Sequence, residues 1–259
     1  MASQFVVPQF VACQLAESRS GSPMKFSVVG TERDVALDAV IIAGYTGRDR
    51  DAVMHHIDEL AALGVPPPPT VPMYWMLPGW IATQQPLTTA TGAGSSGEAE
   101  MCLIVDGAPQ DGGPIDPANV FVTIASDHTD REAEAVDIGL SKAICQKPMG
   151  VDAWPLADVA GRWDELVLRS WIDDGNGEVA YQHGPCSTLV PPTDLLAGVP
   201  FDPRPQRFAL LCGTVPVIGG IRPSGWFRGE LHDPKLRRSI EFQYEVRALT
   251  PARPKAGDE

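Results

Sequence analysis

The sequence predicts an α+β fold that is mainly β, with short helical excursions. Three observations lead there. Short apolar runs recur, closed by turn-forming residues, as in Val40-Ile41-Ile42-Ala43-Gly44 and Val120-Phe121-Val122-Thr123-Ile124-Ala125. The turn Asp173-Asp174-Gly175-Asn176-Gly177 joins the runs 166–171 and 178–183, a strong hairpin signal. The apolar runs do not alternate with long helical patterns, which excludes a βαβ array and a doubly wound nucleotide fold.

In order along the chain, Phe5-Val6-Val7 and Lys25-Phe26-Ser27-Val28-Val29 read as short strands around a loop at 18–23, forming a small N-terminal lobe over residues 1–38. The main domain spans 39–249. Its first strand, 40–44, turns at Tyr45-Thr46-Gly47-Arg48-Asp49 into a helix over 51–63. Val53, Ile57, Leu60 and Leu63 recur at helical spacing, and Gly64 stops the helix. Pro66 to Pro69 force an extended segment, and a strand follows at 73–77. A glycine turn then leads through Glu98 and Glu100 into the apolar run 101–105. After a loop at 106–117, the strand 120–125 ends in Ser126-Asp127-His128, and a short helix is expected to about Ser141. A helix start at 192–196, a buried strand at 208–214 and a final strand at 239–249 complete the domain. Residues 250–259 read as a polar, flexible tail.

The 25 glycines and 25 prolines among 259 residues predict many turns and few long helices. A net charge of -13 argues against nucleic acid and anionic membranes as partners. Five cysteines (Cys13, Cys102, Cys145, Cys186 and Cys212), none in CxxC spacing, read as buried free thiols of a reducing compartment. With no secretory signal and no membrane-length apolar run, the expected location is cytoplasmic. Gly92-Ala93-Gly94 is only a fragment of a phosphate loop. No serine sits in a Gly-x-Ser-x-Gly elbow, and Cys186 near His183 is weak evidence for a thiol nucleophile.

Glu98 and Glu100 lie two apart, so on a strand they share a face. Paired carboxylates repel unless a cation or a shared proton relieves them. Asp127, at the end of a hydrophobic strand, adds a third acid, and three oxygen donors suit a hard divalent cation: Mg²⁺ first, with Mn²⁺ or Ca²⁺ as alternatives. The competing reading of a Glu-x-Glu pair is a solvated strand face. His56 and Glu59 share a helix face, either as exposed polar residues or as a dyad in which the carboxylate orients the imidazole. His128 follows Asp127 and is expected to face away from the acids, His183 to bond within the hairpin, and His232 to face solvent.

These segments resemble the fumarylacetoacetate hydrolase superfamily. Ser96-Gly97-Glu98-Ala99-Glu100-Met101-Cys102-Leu103-Ile104-Val105 is similar to its Glu-x-Glu metal strand, and 122–132 to its Thr-Val-Ala-Asn-Asp segment. Lys142 with Pro148-Met149-Gly150, the Gln182-His183-Gly184 hairpin and Gly213-Thr214-Val215-Pro216 follow in the family's order. The wording looks like a less characterised bacterial branch. The resemblance implies a mixed β-sandwich roll with short helices, a homodimer, and Glu98, Glu100 and Asp127 as ligands of one divalent cation, with no organic cofactor. It implies catalytic roles for His56, Glu59 and Lys142, with Lys147 competing for the last. Arg131, Gln182 and Thr214 are the expected contacts of a small carboxylate or keto substrate. Arg131 has an alternative role as a bridge between acids, and Thr214 as a strand terminus.

The activity so implied is hydrolysis of a carbon–carbon bond in a β-diketo or 2-oxo acid. The cation stabilises developing negative charge while His56 and Glu59 activate water. Decarboxylation or tautomerisation on the same site is the alternative, and a non-catalytic small-molecule binder is the reading from another class. Two positions depart from the family pattern. Ser96 stands where an acid is common, and Trp75-Met76-Leu77 where a lysine is common. The lost positive charge points to a less anionic or larger substrate.

Overall fold

The computed structural model describes residues 22–62, 67–90 and 94–249, the side chains of residues 56, 59 and 60 excepted. The expected strand at 5–7, the tail 250–259, Cys13, Gly92-Ala93 and the helix stop at Gly64 lie outside the described residues. In chain order the first strands are β1 (Met24–Val28), β2 (Thr31–Val35), β3 (Ala39–Gly44), β4 (Met73–Pro78), β5 (Ala82–Thr83) and β6 (Leu87–Ala90). Next come β7 (Ser95–Ser96), β8 (Ala99–Asp106), β9 (Val120–Ser126), β10 (Thr129–Asp130), β11 (Lys147–Pro148) and β12 (Asp152–Pro155). The chain closes with β13 (Val167–Asp173), β14 (Glu178–Pro185), β15 (Arg207–Thr214), β16 (Trp226–Asp233) and β17 (Arg238–Ala248). The α-helices are α1 (Arg50–Ala62), α2 (Arg131–Glu134), α3 (Ile138–Ala143) and α4 (Pro192–Ala197).

Two larger sheets carry the fold, the mainly β, α+β architecture that the sequence predicts. One runs β2-β1-β12-β9-β8-β15-β3-β4 and the other β14-β13-β16-β17-β6. β8 and β9 are buried on both faces, which is why they read as unbroken apolar runs. Met101, Leu103 and Val105 of β8 pack into a core shared with Leu168, Phe227, Leu231 and Ile240 of the second sheet. Cys102 and Ile104, pointing the other way, join a second core with Phe26, Ile42, Leu77 and Ile81, around which the large sheet curls. The second sheet has one wet face, so β13 alternates between buried and more open positions.

The hairpin β1–β2 extends the large sheet through parallel pairing of Ser27 and Val28 with Asp152 and Ala153, so the described part of the 1–38 segment is built into the main sheet. The expected helix to Ser141 is interrupted. Asp130 caps α2, and Asp137 accepts a bond from the Leu140 N–H, restarting the chain as α3. β16 escapes a reading of apolar runs because Arg228, Glu230 and Gly229 break it up. Gly229 is needed there, since a Cβ would come 2.5 Å from the Phe242 ring. Among the described residues no helix is long and apolar enough to cross a membrane.

Candidate metal centre

The N-terminal end of β8 and the C-terminal ends of β3, β9 and β15 meet at one end of the large sheet, because β8 runs antiparallel to β9 and β15 while β15 runs parallel to β3. They form the floor of a cleft of about 790 Å³, with Asp49 and the α1 residues Ala52 and Val53 on one side and α3 on another through Ile138 and Lys142. Glu98, Glu100 and Asp127 reach this floor, each with a carboxylate oxygen within 4.8 Å of the others.

Each acid is positioned by the backbone. Glu98 does not lie on β8, as a simple two-residue alternation implies, but in the irregular step between β7 and β8. Its N–H donates to Ser126 Oγ at 3.2 Å, and its carbonyl accepts the Asp127 N–H at 3.0 Å. Gly97 permits that step, because a Cβ there would lie 2.5 Å from the Tyr244 hydroxyl. Glu100 is buried and accepts the Gly213 N–H at 2.8 Å. Gly213 sits at φ +92°, where a Cβ would fall 1.8 Å from Thr46 Oγ1, so the β15 irregularity that aims this N–H requires glycine.

The cations are unevenly shared. Asp127 pairs with Lys142 and, at 3.0 Å, with Lys147. Both lysines of the sequence alternative therefore reach the same carboxylate, but only Lys142 lines the cleft. Lys147 is fully buried and also donates to the His128 carbonyl at 2.6 Å. Burial works against the charge of Lys142, but Asp127 and Glu98 outweigh it and hold its pKa above the ordinary lysine value. For Lys147, burial and the neighbouring Lys142 prevail and lower it.

Glu98 faces Arg131 Nη2 at 3.2 Å. Burial pushes the Glu98 carboxyl up, the nearby arginine notwithstanding. Glu100, with one N–H and no side-chain cation in contact among the described residues, is pushed up furthest, first by burial and then by the charge of Asp127. Three hard oxygen donors, mutually repelling and incompletely neutralised, fit a divalent cation.

Two of the expected substrate contacts make bonds within the fold. Arg131 donates to Ser96 Oγ at 2.7 Å and to Glu134 Oε2 at 2.8 Å besides facing Glu98, so it bridges acids, with Nη2 left without a hydrogen bond. Gln182 is spent inside the fold. Its amide NH₂ donates to Thr214 Oγ1 at 2.7 Å and to the Val215 carbonyl at 2.8 Å, and its oxygen accepts from the Ala99 N–H at 2.9 Å and Ser170 Oγ at 2.7 Å. An amide offers two donors and two acceptor positions, and all are used. Thr214 does line the cleft, with its hydroxyl donated to the Ala99 carbonyl at 2.7 Å.

Residues 56 and 59 lie on α1, whose first-turn residues Ala52 and Val53 border the cleft. The side chains of His56 and Glu59 lie outside the described residues. His128 is buried between Tyr244 Oη and Ser95 Oγ, each at 2.9 Å. Burial, with Lys147 and Arg131 nearby, lowers its pKa to about 3, so it is a neutral structural imidazole. His183 is exposed and His232 bonds to Ser239 Oγ. Cys186 is buried, its thiol pushed up to about 12 by that burial, which removes it as a nucleophile.

Sequence reasoning missed Glu134, which its three-residue spacing from Arg131 on a helix offered as a pair, and the Gly213 N–H, which no side-chain pattern reports. It also left Trp75 without a role. Its ring is a wall of the cleft, lodged where Gly44 has no Cβ to exclude it, and Lys142 Nζ lies 5.4 Å from its centroid.

No curated protein matches the chain by sequence. A family model described as "protein of unknown function (DUF2848)" matches residues 43–244. Among solved structures, a fumarylpyruvate hydrolase from Pseudomonas aeruginosa, in complex with Mn²⁺ and pyruvate, aligns with a TM-score of 0.56 at 14% identity over 96% of this chain and 100% of that one. A Yersinia pestis CO92 protein described as of the fumarylacetoacetate hydrolase family aligns at 0.57 and 15% identity, covering 87% and 99% of the two chains. A 5-carboxymethyl-2-hydroxymuconate delta-isomerase from Mycobacterium smegmatis aligns at 0.53 and 15%, covering 86% and 85%. At these identities the likeness is one of fold, and the fold is that of the fumarylacetoacetate hydrolase-like proteins.

Proposed function

The chain belongs to the DUF2848 family, and on that premise we propose that it is a divalent-metal-dependent enzyme acting on a 2-oxo or β-diketo acid, with carbon–carbon bond hydrolysis as its reaction. The observation that carries this reading is the Glu98, Glu100 and Asp127 triad, drawn within 4.8 Å on the floor of a cleft large enough for a small acid. The Pseudomonas aeruginosa protein of the same fold, described with Mn²⁺ and pyruvate, supports it.

A cation held by the three carboxylates would supply Lewis-acid stabilisation of negative charge on the substrate's oxygens. The chain's own groups do the rest. Lys142, paired with Asp127 at the cleft floor, is assigned to the substrate's oxygens beside the cation. His56, oriented by Glu59, is assigned to take a proton from water, whose oxygen adds to the distal carbonyl carbon. The carbon–carbon bond then breaks. Its electron pair passes to the departing 2-oxo acid fragment as an enolate, which takes a proton and leaves. Thr214, whose hydroxyl proton is given to the Ala99 carbonyl, is assigned to the substrate's polar end as a hydrogen-bond acceptor in the cleft wall.

A second reading, isomerisation by proton transfer through the same enolate, is favoured by the isomerase among the structures of this fold. A panel of acylpyruvates tested with Mg²⁺ and Mn²⁺ separates the two. Cleavage products abolished by chelation and by His56→Ala support hydrolysis; enol–keto exchange without cleavage supports isomerisation. Activity indifferent to chelation contradicts both.

A further inference from the structure

The walls of the cleft differ from its floor. Val53, Trp75, Ile138, Leu189, Val217 and Ile221 line it above the acids. The charged groups lining it are five acids, Asp49, Glu98, Glu100, Asp127 and Glu134, against one base, Lys142, which Asp127 already holds. The neighbouring arginines are not among the lining residues and are engaged by other groups, although Arg131 Nη2 and Arg222 Nε are left without a hydrogen bond. Arg131 is divided among Glu98, Glu134 and Ser96. Arg48 pairs with Asp164 and the Leu189 carbonyl. Arg222, next to Ile221, lies over the Tyr181 ring at 5.7 Å and donates to the Ile218 carbonyl.

A carboxylate brought into such a cleft loses water and needs a cation or aligned donors in exchange. Arginine is the residue that proteins use for that purpose. Here a metal-binding head group would find its counter-charge on the floor. A second carboxylate farther out would meet apolar side chains, Asp49 and Glu134, with no uncommitted cation among the described lining residues.

We infer that the substrate is a monocarboxylic 2-oxo acid whose far end is uncharged and apolar, selected by the wall of Trp75, Ile138, Val217 and Ile221. This inference rests on the metal-centre reading above. Trp75 supplies a flat face for a broad or aromatic tail, and Gly44 is what lets the ring stand there, since a Cβ at that position would lie 2.6 Å from it.

The test is calorimetric binding to the full-length, Mn²⁺-loaded protein of two acids with chains of equal length, 2-oxohexanoate and 2-oxoadipate, with oxalate as the head group alone. The expected result is that 2-oxohexanoate binds at least about tenfold more tightly than 2-oxoadipate. Ile221→Arg, at a half-exposed position that tolerates the change, is expected to narrow or reverse that ratio. Equal affinity, or preference for 2-oxoadipate by the unaltered protein, overturns the inference while oxalate binding leaves the metal reading standing. Absence of Mn²⁺-dependent oxalate binding removes the metal reading, and this inference with it.

Discussion

Two of the buried carboxylates among the described residues, Asp233 and Glu100, are held in opposite ways. Asp233, at the end of β16, is fully buried, yet it faces Arg162 at 2.6 Å and Arg238 at 3.3 Å and accepts the Leu236 N–H at 3.1 Å. Burial alone would raise its pKa, but these donors outweigh it and pull the group down to about 2. Glu100, set deeper in the fold, has one backbone N–H and two acids for neighbours, and its pKa moves up, first by burial and then by Asp127. The first arrangement is self-sufficient and ties β16 to β17 and to the Arg162 turn. The second is incomplete without another positive charge. The contrast separates a carboxylate that holds a fold from one that awaits a ligand.

The contrast can be broken first at Asp233. Asp233→Ala removes the carboxylate that Arg162 and Arg238 share, though Arg162 keeps Glu165 and Arg238 keeps Asp158 and the Trp154 ring; a loss of about 2–4 kcal/mol is expected in urea unfolding, with metal binding unchanged in the folded protein. A near-neutral result would mean that the cluster is not the strut described. Gly213→Ala comes next. The added methyl meets Thr46 Oγ1 at a φ that disfavours alanine, and the N–H to Glu100 is displaced; about 2–4 kcal/mol and a weakened metal site are expected together. Gln182→Leu, which strips four hydrogen bonds from Ala99, Ser170, Thr214 and Val215, is expected to cost about 2–3 kcal/mol in unfolding free energy. If it lowered turnover without touching stability, the assignment of Gln182 to the fold would be wrong.

The smallest effect is in pH. Asp233 has a folded pKa below its unfolded one, so its contribution is complete above about pH 4 and lost as pH falls through about 2. An acid titration of stability should therefore show about 2 kcal/mol of extra loss in that window relative to Asp233→Asn, since a tenfold change in proton affinity is worth about 1.4 kcal/mol.

Much of this was readable from the chain because it rests on local pattern. β8 and β9 are buried on both faces and so appear as apolar runs, and their ends mark where Glu100 and Asp127 emerge. The Gly175 and Gly177 turn announced β13 and β14, and both glycines take positive φ. What stayed hidden depends on partners distant in sequence. Gln182 looks like a polar residue free to bind until strands 83 residues away and 33 residues away claim its amide. Arg131 looks like an anchor until Ser96, Glu98 and Glu134 surround it. Lys142 and Lys147 could not be ranked by spacing because both reach Asp127, and what distinguishes them is which one faces the cleft.

The most direct measurement is Mn²⁺ titration of the metal-free protein and of Glu100→Gln by calorimetry, with thermal unfolding of both in chelator. The proposed centre requires one ion per chain for the wild type and affinity reduced by at least about tenfold in the variant, since losing a ligand costs no less than losing a group behind one. In chelator the variant should be as stable as the wild type or more so, because the substitution relieves repulsion with Glu98 and Asp127. Wild-type protein that binds no divalent ion, or a variant that binds it equally well, would contradict the account.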